Sequence, residues 1–460
     1  MRLNCTSPQL DELEKNSPAA GSNLMPRATD KTFYKAPSDG NTRSTIFWAT
    51  LVALAVRLVV VGFTYQSFLD PGRDHWEFGY EMGQIARSIV TGHGFSNPYT
   101  GVQTGPTAVI SPVFPYLMAG VMMVFGIFTK AAALAMLTLD SLFSALTCVP
   151  IFFLAKRSFG LRVARWATWV WAFFPYAVYA SAGSMWDHPL TTLLLTLLFL
   201  IALQLEKPSS LWTWAGYGLL WGLAALTSPI VLGVFPVLVG WACYRLHRQG
   251  RRWVVSAGVL VLVLMVTITP WLVRNYRTFH KPVFLRTGFP VVFVVGNVGN
   301  ALHWYNPLDP PGSAAAMAEY QRVGEQAYMA ARWRDVVSFL REHPQTFVWR
   351  SLRRAVYLWT GYWSLDPEYL REEPFDPPNI FFCTIFTSLA LLGLRQAFRT
   401  AADVALPFAL LLLVFPIAYY FTMPYLFYRH PLDPAMVILA SYAVVSWRRS
   451  RRKQASAAGS

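Results

Sequence analysis

The chain has 460 residues, of which 54% are hydrophobic, 15% aromatic and only 14% charged. This composition excludes an ordinary water-soluble enzyme, because apolar runs of about 20 residues, long enough to cross a bilayer, recur along the chain. The net charge of +15 comes largely from basic clusters beside these runs. Such clusters usually set membrane topology, so we expect no nucleic-acid partner.

The apolar runs predict an all-α polytopic membrane protein with about 10 or 11 spans. Residues 1–44 are polar, with scattered Ser, Pro, Gly and Asn, which is typical of a disordered tail. The apolar stretch 109–128 contains Pro112 and Pro115, so we expect a juxtamembrane helix or a re-entrant segment there, with a full crossing as the alternative. The predicted spans are 45–68, 131–155, 162–183, 188–205, 211–227, 229–246, 252–273, 377–394, 404–423 and 432–447.

The basic clusters predict the orientation of the chain. They lie near residues 156–162, 244–252, 395–399 and 448–453, and the positive-inside rule places all of them in the cytoplasm, together with both termini. The outer face then receives residues 69–130, the turn 184–188, residues 274–378 and the turn 423–431. We divide the chain into a cytoplasmic tail (1–44), an N-terminal transmembrane catalytic module (45–273) with a first outer loop (69–130), an extracytoplasmic loop region (274–378), C-terminal spans (379–447) and a basic cytoplasmic tail (448–460).

Three acidic residues follow the first predicted span. The periodicity predicts an amphipathic helix from Trp76 to Val90 that stops at Gly92. Asp74, Glu77 and Glu81 are spaced by three and four residues and would share one helix face. A carboxylate there could act as a general base if burial or a like charge raises its pKa. The alternative is a solvated acidic face.

Asp187 is a lone acid in the short turn between two apolar runs. It could be a second acid facing the same cavity. It could also be the N-cap of the span that starts at His188 and Pro189, and the two roles are compatible.

Basic residues on the outer side are not expected from the positive-inside rule, so their presence there needs an explanation. Arg274, Arg277 and Arg286 follow one predicted span, and Arg429 precedes the last. Arginines near the headgroups suit a phosphate, whereas salt bridges and snorkelling are the alternatives.

Buried charge and metal binding give weaker signals. Arg57 lies in the middle of the first span and must face protein, with Asp140 as a candidate partner. The four cysteines lack the spacing of a zinc or redox site, so no metal ligands are predicted. The three acids of the first outer loop could still hold a divalent cation.

The order of several motifs resembles the GT-C glycosyltransferases, most closely family 39, which includes the protein O-mannosyltransferases and the aminoarabinose transferases. The resemblance covers about residues 45–447. The motifs are Ile85-Ala86-Arg87-Ser88, Gly92-His93-Gly94-Phe95, Pro112…Pro115-Tyr116, Phe125-Gly126, Lys156-Arg157-Ser158-Phe159-Gly160, Trp271…Arg274-Asn275-Tyr276, Gly296-Asn297 and Tyr428-Arg429-His430-Pro431.

The resemblance implies a GT-C-type helical bundle in a bacterial plasma membrane. Members move a sugar, with inversion, from a polyprenyl-phosphate donor to a lipid, glycan or protein acceptor on the outer face. A carboxylate of the first outer loop is the base, and arginines stabilise the leaving phosphate. The matching positions add Asn275, Asn297 and His430 to Arg274, Arg277 and Arg429 as substrate-binding candidates.

One position departs from the family pattern. Many members have an aspartate eight residues before the alanine that matches Ala86, and this chain has Phe78 there. Glu77 and Glu81 therefore both remain candidate bases, with Asp187 as a supporting acid. The alternatives are a transporter of lipid-linked sugars or small solutes and a non-catalytic family member.

Overall fold

The computed structural model describes residues 39–70, 76–205, 207, 209–298, 313–372, 376–423 and 425–458. The candidate site and the contacts discussed below lie in the compact unit Ser44–Ser460. The predicted tail, apart from its last residues, and Asp74 lie outside the described residues.

The prediction of an all-α protein is confirmed, since the only β feature in the described part of the chain is an isolated bridge between Ser96 and Pro106. Short 3-10 helices lie at Tyr65–Phe68, Pro229–Val234 and Leu426–Leu432. The α-helices are α1 Asp39–Thr64, α2 Trp76–Val90, α3 Val113–Phe125, α4 Lys130–Leu146, α5 Cys148–Phe159, α6 Leu161–Ala172, α7 Pro175–Ala182, α8 His188–Gln204, α9 Leu211–Thr227, α10 Phe235–Arg248, α11 Val254–Phe279, α12 Phe289–Asn297, α13 Ala314–Val323, α14 Glu325–Glu342, α15 Pro344–Thr360, α16 Pro367–Glu372, α17 Asp376–Thr400, α18 Ala402–Val414, α19 Ile417–Phe421 and α20 Asp433–Ala458.

Six segments of the described chain are long and apolar enough to cross a membrane, so the protein is an integral membrane protein. They are Thr42–Phe68, Lys130–Phe159, Pro229–Arg248, Val254–Phe279, Pro377–Thr400 and Ala402–Phe421. Helix α3 has 13 residues. At about 1.5 Å per residue it is too short for a hydrocarbon core of about 30 Å, which fits the expected juxtamembrane or re-entrant segment.

The predicted span 162–183 is two helices rather than one. Helix α6 ends at Ala172 and α7 begins at Pro175. Proline has no N–H and its ring displaces the carbonyl four residues before it, so the helix breaks and carbonyl groups of its last turn need other donors.

Arg57 supplies donors at this break. Its side chain is fully buried and its guanidinium donates to the carbonyls of Ala172 at 3.1 Å and Trp171 at 3.4 Å. It also donates to the Ser144 hydroxyl at 2.9 Å. The predicted pairing of Arg57 with Asp140 is wrong, because both oxygens of the Asp140 carboxyl group have no hydrogen-bond partner in the described structure.

We expect Arg57→Leu to destabilise the protein by about 3 kcal/mol or more, because several buried acceptors would lose their donor at about 1–3 kcal/mol each. The measurement is the thermal unfolding midpoint in detergent. Arg399→Leu is the matched control, since Arg399 is exposed in the last turn of α17. Equal midpoints for the two variants would contradict the role of Arg57 at the break.

Candidate active site

Helix α2 forms between Trp76 and Val90, as the periodicity predicted. Its buried face includes Met82, Ile85 and Ala86. The helix ends before Gly92, whose φ of 83° is a conformation that suits glycine. The position of this helix therefore follows from its apolar face and its glycine stop.

The first turn of α2 is left-handed, which the sequence did not indicate. Phe78, Gly79 and Tyr80 have φ values of 63°, 79° and 55°. The left-handed turn interrupts the regular right-handed helix between Glu77 and Glu81 that a shared acidic face assumes, and the shared face itself stays a prediction. The Glu77 side chain lies outside the described part of the chain, whereas Glu81 is described and half-buried.

Phe78, which replaces the family aspartate, is a core residue. Its side chain is fully buried and its ring makes a T-shaped contact with Phe128 at 5.3 Å. Gly79 packs closely against the turn after α7, where a Cβ atom would lie 3.3 Å from the Met185 carbonyl oxygen. The left-handed turn thus fixes the start of α2 against the turn that carries Asp187.

The environment of Glu81 suits a general base. Burial raises the pKa of the Glu81 carboxyl above its ordinary value, and the positive charge of Arg286 opposes that rise. A carboxylate with a raised pKa accepts a proton more readily than a solvated one.

Asp187 occupies the N-cap position of α8, but its side chain accepts no hydrogen bond from the helix backbone. The carboxylate instead accepts a bond from the Thr191 hydroxyl at 3.3 Å and lies 3.7 Å from His188 Nδ1. The capping alternative is therefore confirmed in position and not in its side-chain contact. The carboxylate is buried, and its function as a second acid of the site stays a prediction.

The Tyr428 phenol interacts electrostatically with three charged groups from different parts of the chain. Burial raises the pKa of its phenol, the charge of Arg286 lowers it, and the charges of Asp187 and Glu81 raise it further. The two carboxylates and the guanidinium therefore act electrostatically on one phenol, although they come from α2, from the turn before α8 and from the loop after α11. These residues form the candidate active site.

Arg286 is exposed and was predicted only as one of several basic residues on the outer side. The next residue, Thr287, fixes its loop: the Thr287 N–H donates to the Ala108 carbonyl at 2.9 Å and its hydroxyl donates to Glu325 at 2.7 Å. The sequence signal for Arg286 was its charge on the side where positive residues are disfavoured, and this signal did not distinguish it from its neighbours.

Glu325 was missed by the sequence analysis. Its buried carboxylate accepts four hydrogen bonds, from the Thr107 and Thr287 hydroxyls, the Ala108 N–H and the Tyr320 phenol, at 2.5 to 3.0 Å. It is the first residue of α14, where a negative charge is favoured by the helix dipole. Nothing local in the sequence marks it.

Arg274 joins α11 to the first loop. Its guanidinium donates to the carbonyls of Thr107 and Phe95, each at 2.7 Å, and to the Asn275 side chain at 3.1 Å. Asn275 is buried and donates to the Val283 carbonyl at 3.5 Å. Both side chains thus have structural partners, and their binding of substrate stays a prediction.

The remaining substrate-binding candidates are dispersed. Asn297 is buried, donates to the carbonyls of Phe293 and Phe421 at 2.9 Å and accepts from Arg354 at 2.9 Å. Arg277 is exposed in the last turn of α11.

Arg429 and His430 lie in the protein interior. Each is 1% exposed, and both contact Asp433: Arg429 Nε lies 3.4 Å from one carboxylate oxygen and His430 Nδ1 3.0 Å from the other. Arg429 also donates to the Leu358 carbonyl at 3.0 Å, and the His430 ring stacks on Trp171 at 5.5 Å. Their contacts support the segment that carries Tyr428, and direct substrate binding by them stays a prediction.

Metal binding was left open by the sequence. Among the residues that the structure describes, no group of three His, Cys, Asp or Glu side chains is placed to hold a metal ion. Asp74 and the Glu77 side chain are outside those residues.

Residues 107–273 match the family profile described as dolichyl-phosphate-mannose-protein mannosyltransferase. This segment includes Asp187 and leaves out Glu81 and Arg286. No curated protein is significantly similar to the chain in sequence.

Solved structures show the fold. The archaeal oligosaccharyltransferase AglB from Archaeoglobus fulgidus, in complex with an inhibitory peptide and a dolichol-phosphate, matches with a TM-score of 0.50 at 15% identity, over 91% of this chain and 52% of that chain. The apo form of the A. fulgidus oligosaccharyltransferase gives 0.51 at 14% identity, over 90% and 52%. This chain spans about half the length of those proteins.

ArnT from Cupriavidus metallidurans, bound to undecaprenyl phosphate, gives a TM-score of 0.39 at 14% identity, over 89% of this chain and 78% of that chain. That score is too low for an argument about the fold. The oligosaccharyltransferase matches and the family profile suffice: the resemblance to the GT-C superfamily is confirmed, and the chain has a GT-C-type fold.

We expect Glu325→Ala to lower the stability of the region around the site by about 3–5 kcal/mol, because the change removes a buried charge from the donors that surround it. The measurement is the unfolding midpoint in detergent, with Glu319→Ala as control. Glu319 is an acid of the neighbouring helix α13 whose contact with Arg332 is 3.8 Å and partly exposed. An unchanged midpoint for Glu325→Ala would show that the carboxylate is not a structural anchor.

Proposed function

We propose that the protein is an inverting glycosyltransferase that moves a sugar from a polyprenyl-phosphate donor to a lipid, glycan or protein acceptor. The observation that carries the proposal is the electrostatic interaction of Glu81, Asp187 and Arg286 with the Tyr428 phenol in a chain with a GT-C-type fold. A base, a second acid and a cation are the groups that this transfer needs. The family profile, described as dolichyl-phosphate-mannose-protein mannosyltransferase, supports a donor of this class.

In the proposed reaction, the Glu81 carboxylate takes the proton of the acceptor group as that group attacks the anomeric carbon. The new glycosidic bond forms on one face of the sugar while the bond to the phosphate oxygen breaks on the other, which inverts the configuration. The electron pair of the broken bond goes to the polyprenyl phosphate. The proton on Glu81 is then released to water.

Arg286 is the arginine that the proposal places on the leaving phosphate. Its side chain is exposed and interacts electrostatically with Glu81, so a phosphate bound to it would lie in the same site as the base. A fixed guanidinium stabilises charge that develops on the phosphate as the bond breaks. Arg277 remains a second candidate for the same role.

Asp187 is the supporting acid of the proposal. Its carboxylate is buried beside His188 and acts on the same phenol as Glu81. We assign it the hydrogen bonds of the sugar hydroxyl groups. The proposal gives Arg274, Asn275, Asn297, Arg429 and His430 positioning roles, in keeping with their internal contacts.

The basic clusters support the side on which the reaction takes place. With these clusters in the cytoplasm, both termini are cytoplasmic and α2 faces the outside, so the proposal places the site on the outer face of a bacterial plasma membrane.

We expect Glu81→Gln to reduce transfer by about 10²–10⁴-fold, the usual contribution of a general base, because the amide cannot accept the proton. The measurement is sugar transfer by the purified protein in lipid nanodiscs, with a panel of polyprenyl-phosphate hexoses and pentoses as donors. Wild-type activity should fall at low pH, because protonation of Glu81 removes the base, and the raised pKa places this fall higher than for an ordinary glutamate.

The control for this experiment is Glu342→Gln, an acid at the end of α14 that is exposed to solvent. Full activity of Glu81→Gln together with loss in Glu77→Gln would move the base to Glu77. Full activity of both variants would overturn the assignment of a glutamate base in α2.

We expect Arg286→Gln to reduce transfer about 10- to 100-fold, since a hydrogen bond to a charged group contributes about 1.5–3 kcal/mol. The acid limb of the pH profile should also move to higher pH, because the charge of Arg286 holds the pKa of Glu81 down. Arg286→Lys keeps the charge and should restore the position of that limb.

Arg395→Gln is the control, because Arg395 is an exposed arginine of α17. Of these glutamine variants, only Arg286→Gln is expected both to lower the transfer rate and to shift the acid limb of the pH profile. A loss in Arg277→Gln with a normal Arg286→Gln would assign the phosphate to Arg277 instead.

A further inference from the structure

Aromatic side chains line one side of the candidate active site. Tyr80 lies 6.1 Å from Trp186, Trp186 lies 6.4 Å from Phe427, and Phe427 lies 4.9 Å from Tyr428, measured between ring centres. We call these four residues the aromatic wall. They come from the first turn of α2, from the turn before α8 and from the 3-10 helix Leu426–Leu432.

The wall is open on one side. Tyr80 is 44% exposed, and the other three side chains are half-buried. Behind the wall, the buried His188 ring stacks on Trp186 at 6.1 Å and lies 5.1 Å from Phe427. The exposed part of the wall presents flat apolar ring surface that a ligand can reach.

Charged groups border the wall. Glu81 follows Tyr80 in the chain, Asp187 follows Trp186, and the charges of both and of Arg286 act on the Tyr428 phenol. Carboxylates are costly beside hydrocarbon, and where they occur close to a membrane they commonly mark a functional cavity. The combination of flat apolar rings with hydrogen-bonding carboxylates fits a ligand that has both an apolar face and hydroxyl groups.

The backbone holds Tyr80 in an unfavourable conformation. Phe78 and Tyr80 both have positive φ, which costs about 1–2 kcal/mol for each such residue. The cost is met by the close packing of Gly79 on Met185 and by the burial of Phe78. Strain of this kind at a candidate site suggests that the direction of the Tyr80 ring has a use.

We propose that the aromatic wall binds the sugar ring of the donor. The apolar C–H face of the sugar packs on Tyr80 and Trp186, and hydroxyl groups at its edge donate to the carboxylates of Asp187 and Glu81. This inference rests on the proposed function and adds the substrate part that the wall recognises. The isoprenoid chain of the donor is also apolar, and the experiment separates the two.

The experiment measures binding of two lipids to the full-length protein in nanodiscs. One is the tightest-binding member of a panel of polyprenyl-phosphate hexoses and pentoses, and the other is the sugar-free polyprenyl phosphate of the same chain length. Tyr80→Leu and Trp186→Leu remove a ring, whereas Tyr80→Phe and Trp186→Phe keep one. Trp212→Leu is the control, because Trp212 is 87% exposed at the start of α9.

We expect both leucine variants to weaken binding of the sugar-bearing lipid about tenfold or more, which corresponds to about 1.4 kcal/mol, and to change binding of the sugar-free lipid less than about twofold. The phenylalanine variants should stay within about threefold of wild type for both lipids. Because Tyr80 is exposed, Tyr80→Leu keeps the test valid if Trp186→Leu does not fold.

Three results would overturn the inference. If the leucine variants weakened binding of both lipids equally, the aromatic wall would bind the isoprenoid chain and not the sugar. Unchanged binding in both leucine variants would make the wall a packing feature. A wild-type protein that binds no sugar-bearing lipid more tightly than the sugar-free one would lack sugar recognition. A different result would overturn only the proposed function: the protein binds the sugar-bearing lipid, this binding depends on the rings of the wall, and no sugar is transferred.

Discussion

The buried carboxylate of Glu325 is the contact on which the arrangement of the site depends. A buried anion is costly unless donors surround it, and this one takes them from two loops that are distant in sequence, through Thr107, Ala108 and Thr287. Because Thr287 follows Arg286, the same anchor that orders the first loop also sets the position of the arginine beside Glu81. Arg274 reinforces the first loop through the Thr107 and Phe95 carbonyls.

The sequence predicted those parts of the fold that local patterns determine. Helix α2 has the predicted limits because apolar periodicity and Gly92 act within a few residues. The left-handed turn before Glu81 was not predictable, since Phe78 and Tyr80 do not favour positive φ and adopt it only because Phe128 and Met185 hold the turn in place. The same distinction applies to the break before Pro175: the proline is visible in the sequence, whereas its compensation by Arg57 is a tertiary contact.

The arginines show why the candidate site was only partly predicted. Arg274 and Arg286 carry the same charge and lie close in sequence, yet the first is engaged by loop carbonyls and the second is exposed beside Glu81. Charge and topology indicate on which side a residue lies, and only its hydrogen-bond partners show whether it is free for a ligand. Glu325 is the opposite case, an unremarkable acid in the sequence that becomes the most heavily hydrogen-bonded carboxylate of those described above.

The neighbouring charges also connect donor binding to the base in the proposed reaction. In the free protein, the positive charge of Arg286 opposes the rise that burial gives to the pKa of Glu81. The monoanionic phosphodiester of the donor, bound at Arg286, offsets that positive field, so the pKa of Glu81 rises further and the carboxylate becomes a stronger base. By thermodynamic linkage, ionised Glu81 then weakens phosphate binding and protonated Glu81 strengthens it. The base therefore gains strength when the donor is in place, and the release of polyprenyl phosphate is favoured once Glu81 has returned its proton to water.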